Sequence, residues 1–216
     1  MKITYLGHSC FLLQSSAGKT LLTDPYTGVG YELPKGLSAN VVTISHQHFD
    51  HNYLSAVAAG EVLDSAGIYE TNGFIIVGEE CYHDEKQGAL RGKNILFKIT
   101  IDGLTVCHLG DLGEEVSEEM HSKIGRADIL LLPVGGKYTI DAAGAKAYVH
   151  AVQPKIVIPM HYLPKDGALD IQTEEAFLSG YEVEIPQNPG EITIDKKDVE
   201  TNGKQTRVIF LRRKGK

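Results

Sequence analysis

The sequence predicts an α/β fold, with residues 1–216 forming a single domain. Three observations predict it. Short β-rich runs crowd the beginning; strand-like and helix-like runs then alternate; and no Pro- or Ser-rich linker, fixed-period repeat or low-complexity stretch divides the chain. A length of 216 residues can bury a core without disulfides or a structural metal, so a metal site here is expected to be functional.

Taken in order, "KITYLGHSCFLLQSSAGKTLLTD" reads as three short strands separated by Gly- and Ser-containing turns. "VVTIS", Val41 to Ser45, is a buried-strand run. "NYLSAVAAGEVLDSAG" predicts a helix with Leu54, Val57 and Ala58 on one face, and "GFIIVGEECYH" another strand. "NILFKITIDGLTVCHLGD" predicts a hairpin turning at Asp102-Gly103, a dipeptide that accepts positive φ. "SEEMHSKI" reads as a short polar helix and "ADILLLPVGG" as a strand closed by glycines. "TIDAAGAKAYVHAVQP" predicts a helix with Ala145, Val149 and Val152 on its apolar stripe, ended by Pro154. "KIVIPMHY" is a further buried strand and "TEEAFLSG" a helical turn or two. The remainder alternates like a terminal hairpin.

The formal charge of −7 argues against a nucleic-acid partner, and the basic end "LRRKGK", Leu211 to Lys216, reads as solvated. Cys10, Cys81 and Cys107 are odd in number and far apart, as expected of free thiols in a reducing compartment. "MKITYLGHSC" has no apolar leader and no run approaches a membrane span. The expectation is therefore a cytoplasmic protein with a small-molecule substrate and neither membrane nor nucleic acid as partner. Nothing in the sequence sets the oligomeric state.

Three of the nine histidines fall within "HQHFDH", His46 to His51. Buried imidazoles need partners, and three together repel when protonated, so the cluster points to a cation. In an extended segment alternate residues share a face, so His46, His48 and Asp50 can converge; with a helix starting near Asp50, His51 swings to a neighbouring direction. Two imidazoles can then clasp one ion and the Asp-His pair a second. "LTVCHLG" runs into Asp111 and "KIVIPM" into His161, and in open α/β sheets ligand sites gather at such strand ends. Imidazole nitrogen and carboxylate oxygen suit borderline divalent metals, and two catalytic ions need about six or seven ligands. His83, in "CYHDEKQG", completes that count. His108 fits packing behind the site better than ligation, His121 and His150 sit on helix faces, and His8 reads equally as a rim or a structural residue.

With these residues in place, the chain resembles the metallo-β-lactamase superfamily: "HQHFDH", an isolated histidine, a "GD" aspartate and a late histidine. "GHSCF", "TLLTDP", "CHLGDLG", "LLLPVGG" and "VIPMHY" extend the likeness along essentially the whole chain. The nearest branch looks like the small single-domain metal-dependent hydrolases, similar to the ascorbate-phosphate lactonases. The resemblance implies a four-layer αββα sandwich with the site on one rim. It implies that His46, His48 and His83 hold one ion, that Asp50, His51 and His161 hold the other, and that Asp111 bridges them. It also implies that Asp24 orients the histidine loop; His8, in "GHSCF", is placed beside it as a second supporting group.

The expected cofactor is a pair of divalent ions, zinc first, with manganese or iron as alternatives. Such a pair activates a shared water as hydroxide for attack on a small ester, lactone or phosphoester, with Asp50 beside that water as the catalytic carboxylate. "PVGGKYT" offers Gly136, Lys137 and Tyr138 for the substrate's developing charge, and loops 112–122 and 162–172 are expected to line the pocket. Two other classes fit the same ligands: an iron-dependent redox enzyme and a non-catalytic metal-binding or sensing module.

Overall fold

The computed structural model describes residues 1–200 and 205–214. Two mixed sheets face each other. In the first, β1 (Lys2–Gly7), β2 (Cys10–Gln14) and β3 (Thr20–Thr23) run antiparallel, while β4 (Leu37–Thr43) and β5 (Val57–Leu63) continue parallel to β3. The strand pleat sorts the side chains: Ile3, Tyr5, Phe11, Leu13, Leu21 and Val41 enter the core shared with the second sheet. Leu6, Cys10, Leu22 and Val42 point the other way, under Tyr26, Val29 and Leu33.

The second sheet begins with an antiparallel meander of β6 (Gly67–Thr71), β7 (Phe74–Tyr82), β8 (Lys93–Ile101) and β9 (Leu104–His108). The β8–β9 turn uses Asp102 at φ 51° and Gly103 at φ 74°, as its dipeptide predicts. β10 (Ile129–Pro133) and β11 (Ile156–Met160) then run parallel to β9. Every residue of β10 and β11 is buried, because both faces are covered. The first sheet covers one; Met120 and Ile124 of α1 (Glu118–Ile124), Ala145 and Val149 of α2 (Ala142–Val152) and Phe177 of α3 (Glu175–Leu178) join the same core. Asp141 caps α2 by accepting from the Ala143 and Gly144 N–H groups, and Gln153 ends it in the left-handed region just before Pro154. The αββα expectation thus holds in the paired sheets and the helices over the second. Over the first sheet, loop 25–36 and a 3-10 turn at Leu54–Ala56 take the place of an α-helix. Among the described residues no helix is long and apolar enough to cross a membrane.

Two expectations are corrected. The helix predicted over "NYLSAVAAGEVLDSAG" is the 3-10 turn followed by β5, which pairs with β4 from Leu37↔Val57 to Thr43↔Leu63. Sheet pairing overrides alanine's helical preference here, and Gly60 is where a Cβ would meet the Asn40 carbonyl at 2.5 Å. The terminal hairpin is also absent among the described residues. β13 (Glu191–Thr193) joins the first sheet against β1 and is followed by α4 (Lys196–Glu200). β12 (Val183–Glu184) and β14 (Arg207–Ile209) pair with each other in parallel in the second sheet. Of the basic end, residues 215 and 216 lie outside the described residues.

Candidate metal centre

Six strands deliver a polar residue to one rim as they end: β1 His8, β3 Asp24, β4 His46, β7 His83, β9 Asp111 and β11 His161. His8, Asp24 and His161 turn there with φ of 53°, 37° and 50°. That left-handed backbone costs side-chain-bearing residues about 1–3 kcal/mol each, a strain characteristic of functional sites. Gly110 (φ 55°) makes the turn before Asp111, where a Cβ would meet Asn94 Oδ1 at 2.4 Å. A backbone turn at His48–Asn52, rather than the start of a helix, sends His51 inward, its N–H bonding the His48 carbonyl.

The predicted ligands converge. Donor atoms of His46, His48 and His83 lie within 4.8 Å of one another, as do those of His8, Asp50, His51 and His161. Asp111 stands between the groups: its Oδ2 is 3.3 Å from His83 Nε2 and 3.2 Å from His161 Nε2, and its Oδ1 is 3.1 Å from His51 Nε2. His48 is the exposed member and the others are buried or nearly so.

In His51, His83 and His46 the outward-facing nitrogen is fixed, so that the inward one presents a lone pair. His51 Nδ1 donates to Asp24 Oδ2 at 2.8 Å, and His83 Nδ1 to the Tyr138 carbonyl at 3.0 Å. His46 Nδ1 meets Ser45 Oγ at 3.0 Å. What remains inside is unsatisfied: His46 Nε2, His51 Nε2 and Asp111 Oδ1 are buried without a hydrogen-bond partner. Orphaned buried donors and acceptors are costly, and three facing the same point form a cradle for a cation.

The electrostatics agree. Burial works against the Asp111 charge, yet His161 and His51 hold its carboxyl well below the usual range. Burial likewise opposes ionised Asp50, but the His8 hydrogen bond (3.2 Å) and the His51 charge hold it ionised. Burial opposes a charged His51 too, but Asp111 and Asp24 on either side push its pKa well up. Burial and the neighbouring His51 push His46 down to about 2, and burial with His161 pushes His8 down to about 4.

Asp24 accepts from Ser45 N (2.8 Å), Ser45 Oγ (2.7 Å) and His51 Nδ1. His8 packs its ring 4.3 Å from His161 and touches Asp50. His108 is packed behind, bonded to the Ser9 carbonyl and accepting from Gly110 N–H; His121 and His150 are exposed on their helices. Sequence reasoning missed two positioning residues. Asn94 Oδ1 accepts the Asp111 N–H at 2.9 Å. Buried Asp84 accepts four backbone N–H groups, from Lys86, Gly88, Leu90 and Arg91, at 2.7–3.0 Å and so shapes the loop after His83. An Asp beside a histidine and ahead of two loop glycines was the available signal.

On the substrate side, Gly135 is required because a Cβ would strike the His161 carbonyl at 2.2 Å. The Gly136 N–H bonds the Ile140 carbonyl at 3.3 Å, and Lys137 Nζ pairs with Asp170. Tyr138 is half-buried against the rim, with its carbonyl on His83.

Paired mixed sheets with a His/Asp cradle at their strand ends define an α/β-sandwich protein built to hold metal. A family model for the beta-lactamase superfamily domain matches residues 2–161. A UPF0173 metal-dependent hydrolase of Methanosarcina mazei is 27% identical over 88% of this chain and 97% of its own. A second, from Thermoplasma acidophilum, is 31% identical over 75% of this chain and 83% of its own. The crystal structure of a candidate Zn-dependent hydrolase of the metallo-β-lactamase superfamily from Thermotoga maritima superposes with TM-score 0.76 and 36% identity, covering 97% of this chain and 98% of that one. The chain belongs to the metallo-β-lactamase superfamily, among its metal-dependent hydrolases.

Proposed function

We propose that this hydrolase works with two divalent ions, zinc first, on a small anionic ester, lactone or phosphoester. The observation that carries the reading is the set of buried, unpartnered atoms His46 Nε2, His51 Nε2 and Asp111 Oδ1 aimed at one cradle. His46, His48 and His83 would hold one ion, Asp50, His51 and His161 the other, and Asp111 both. Bound there, divalent ions lower the pKa of water and polarise a substrate oxygen.

The chain's own residues do the rest. Asp24, Ser45 and the Tyr138 carbonyl fix the imidazole tautomers before substrate arrives. Asp50 is held ionised by His8, so it orients the attacking water by accepting its hydrogen bond rather than by keeping its proton. Exposed His48 marks the open side for substrate entry. Lys137 and Tyr138, with Gly136 shaping their loop, stand on the substrate side. A net charge of −7 disfavours long polyanions but not a small anion inside a locally positive centre.

The test is turnover of p-nitrophenyl acetate, a simple lactone and bis-p-nitrophenyl phosphate by zinc-loaded protein, before and after stripping with chelator. Metal-dependent cleavage of at least one class supports the reading. Metal loading without cleavage of any would refute hydrolysis.

A further inference from the structure

Beside the histidines lies a pocket of about 410 Å³, and its charges are not those singled out by the sequence. His46 and His48 form one wall; the cations Arg91 and Lys93, the acids Asp64 and Glu80, and Ser65 and Ile95 are among the residues that line the rest. Lys93 is already paired with Glu80 at 2.7 Å, and Lys137 across the rim with Asp170. Arg91 has no carboxylate within ion-pairing distance among the described residues; the pocket's remaining acid, Asp64, is exposed and does not reach it. The Arg91 guanidinium lies instead 5.5 Å from the centre of the Tyr138 ring. An aromatic platform holds a guanidinium by its face and leaves the N–H edge free to donate.

Arg91 is also held in place relative to the metal histidines. Its backbone N–H is one of the four donors to Asp84, at 2.7 Å, and the next residue, Gly92, accepts the His83 N–H at 3.1 Å. Tyr138, its platform, is the residue whose carbonyl fixes His83. A permanently charged, half-buried, pre-positioned and unpaired guanidinium next to ligands His46 and His48 matches a planar or tetrahedral oxyanion.

We propose that Arg91 is the recognition residue for an oxyanion, a carboxylate or phosphate, that the substrate carries away from its cleaved bond. This rests on the centre being the hydrolytic metal site. The substrate would span the rim, with its reacting group at the histidines and its anionic end on Arg91.

The test uses calorimetric titration of zinc-loaded protein with two non-hydrolysable probes, ethylphosphonate and 3-phosphonopropionate. Both offer a phosphonate to the metals, and only the second adds a remote carboxylate. Wild type should prefer the second. Arg91→Ala should remove roughly ten- to a hundredfold of affinity for it, the range of a charge-assisted contact, with little change for the first. Arg91→Lys should keep part of the preference. No preference in wild type, or equal losses for both probes in Arg91→Ala at unchanged zinc content, would overturn the proposal. Because these titrations need no turnover, absence of hydrolysis would sink the proposed activity while leaving the role of Arg91 decided by binding.

Discussion

Replacing Asp24 by Asn tests how the outer residues control the centre, because it keeps shape and volume while changing one donor–acceptor relation. In the wild-type site one carboxylate oxygen of Asp24 accepts from both His51 Nδ1 (2.8 Å) and Ser45 Oγ (2.7 Å), and the other from the Ser45 N–H (2.8 Å). An amide cannot serve both sides. If its NH₂ faces His51, that ring must present a lone pair at Nδ1 and carry its proton at Nε2, which then points at Asp111 Oδ1, 3.1 Å away. If the amide flips, NH₂ faces the Ser45 N–H and two donors confront each other. The first state protonates the nitrogen that His51 needs for a metal. Loss of such an orienting partner typically costs ten- to a hundredfold in metal affinity, about 1.4–2.8 kcal/mol. Competition with a chromophoric chelator should show one of two sites weakened by that factor, with cooperative unfolding retained. Ser45→Ala, which spares the Asp24–His51 contact, should weaken binding less. Two sites of unchanged affinity in Asp24→Asn would refute the tautomer argument.

His48→Ala removes a donor with no substitute nearby, so metal content by elemental analysis should fall; an unchanged stoichiometry would remove His48 from the centre. Asp111→Asn should abolish turnover while unfolding stays cooperative, since a neutral amide is a poor partner for two cations and the core is apolar; wild-type rates would reduce Asp111 to a turn residue. In stripped protein, His46 and His8 are pushed below the ordinary histidine value of 6.5, to about 2 and about 4. Their contribution to stability is therefore full above about pH 6.5 and is lost as pH falls, because the unfolded chain takes up protons first. His51, with a raised pKa, has the opposite sign: its contribution is full below about pH 6.5 and fades on the alkaline side. The unfolding temperature of metal-free protein should accordingly drop between about pH 6.5 and pH 4, and a flat profile there would contradict the burial argument.

The candidate ligands were legible because metal chemistry restricts residue type and the strand ends restrict position: His46, Asp111 and His161 each follow a buried apolar run. The Asp102-Gly103 hairpin and the capped helix α2 were legible because local backbone preferences decide them. Strand β5 was not, because "AVAAG" suits a helix locally and only the β4 edge makes it a strand. Asn94, Asp84 and Arg91 escaped notice for a related reason. Asn94 lies on β8 and Asp84 and Arg91 in the loop before it, so only the folded chain sets them against Asp111, the loop after His83 and Tyr138. Lys137 was singled out by its place after a strand, yet its charge is taken up by Asp170 across the rim.

The most direct test of the central claim is a zinc titration of chelator-stripped protein, followed by the hydrolysis rate of whichever ester or phosphoester the loaded enzyme cleaves. Turnover should be absent at the start and rise to a plateau at about two equivalents of zinc per chain, the stoichiometry of a paired-ion site. Full activity in the stripped protein, or a rate that ignores added metal, would contradict it.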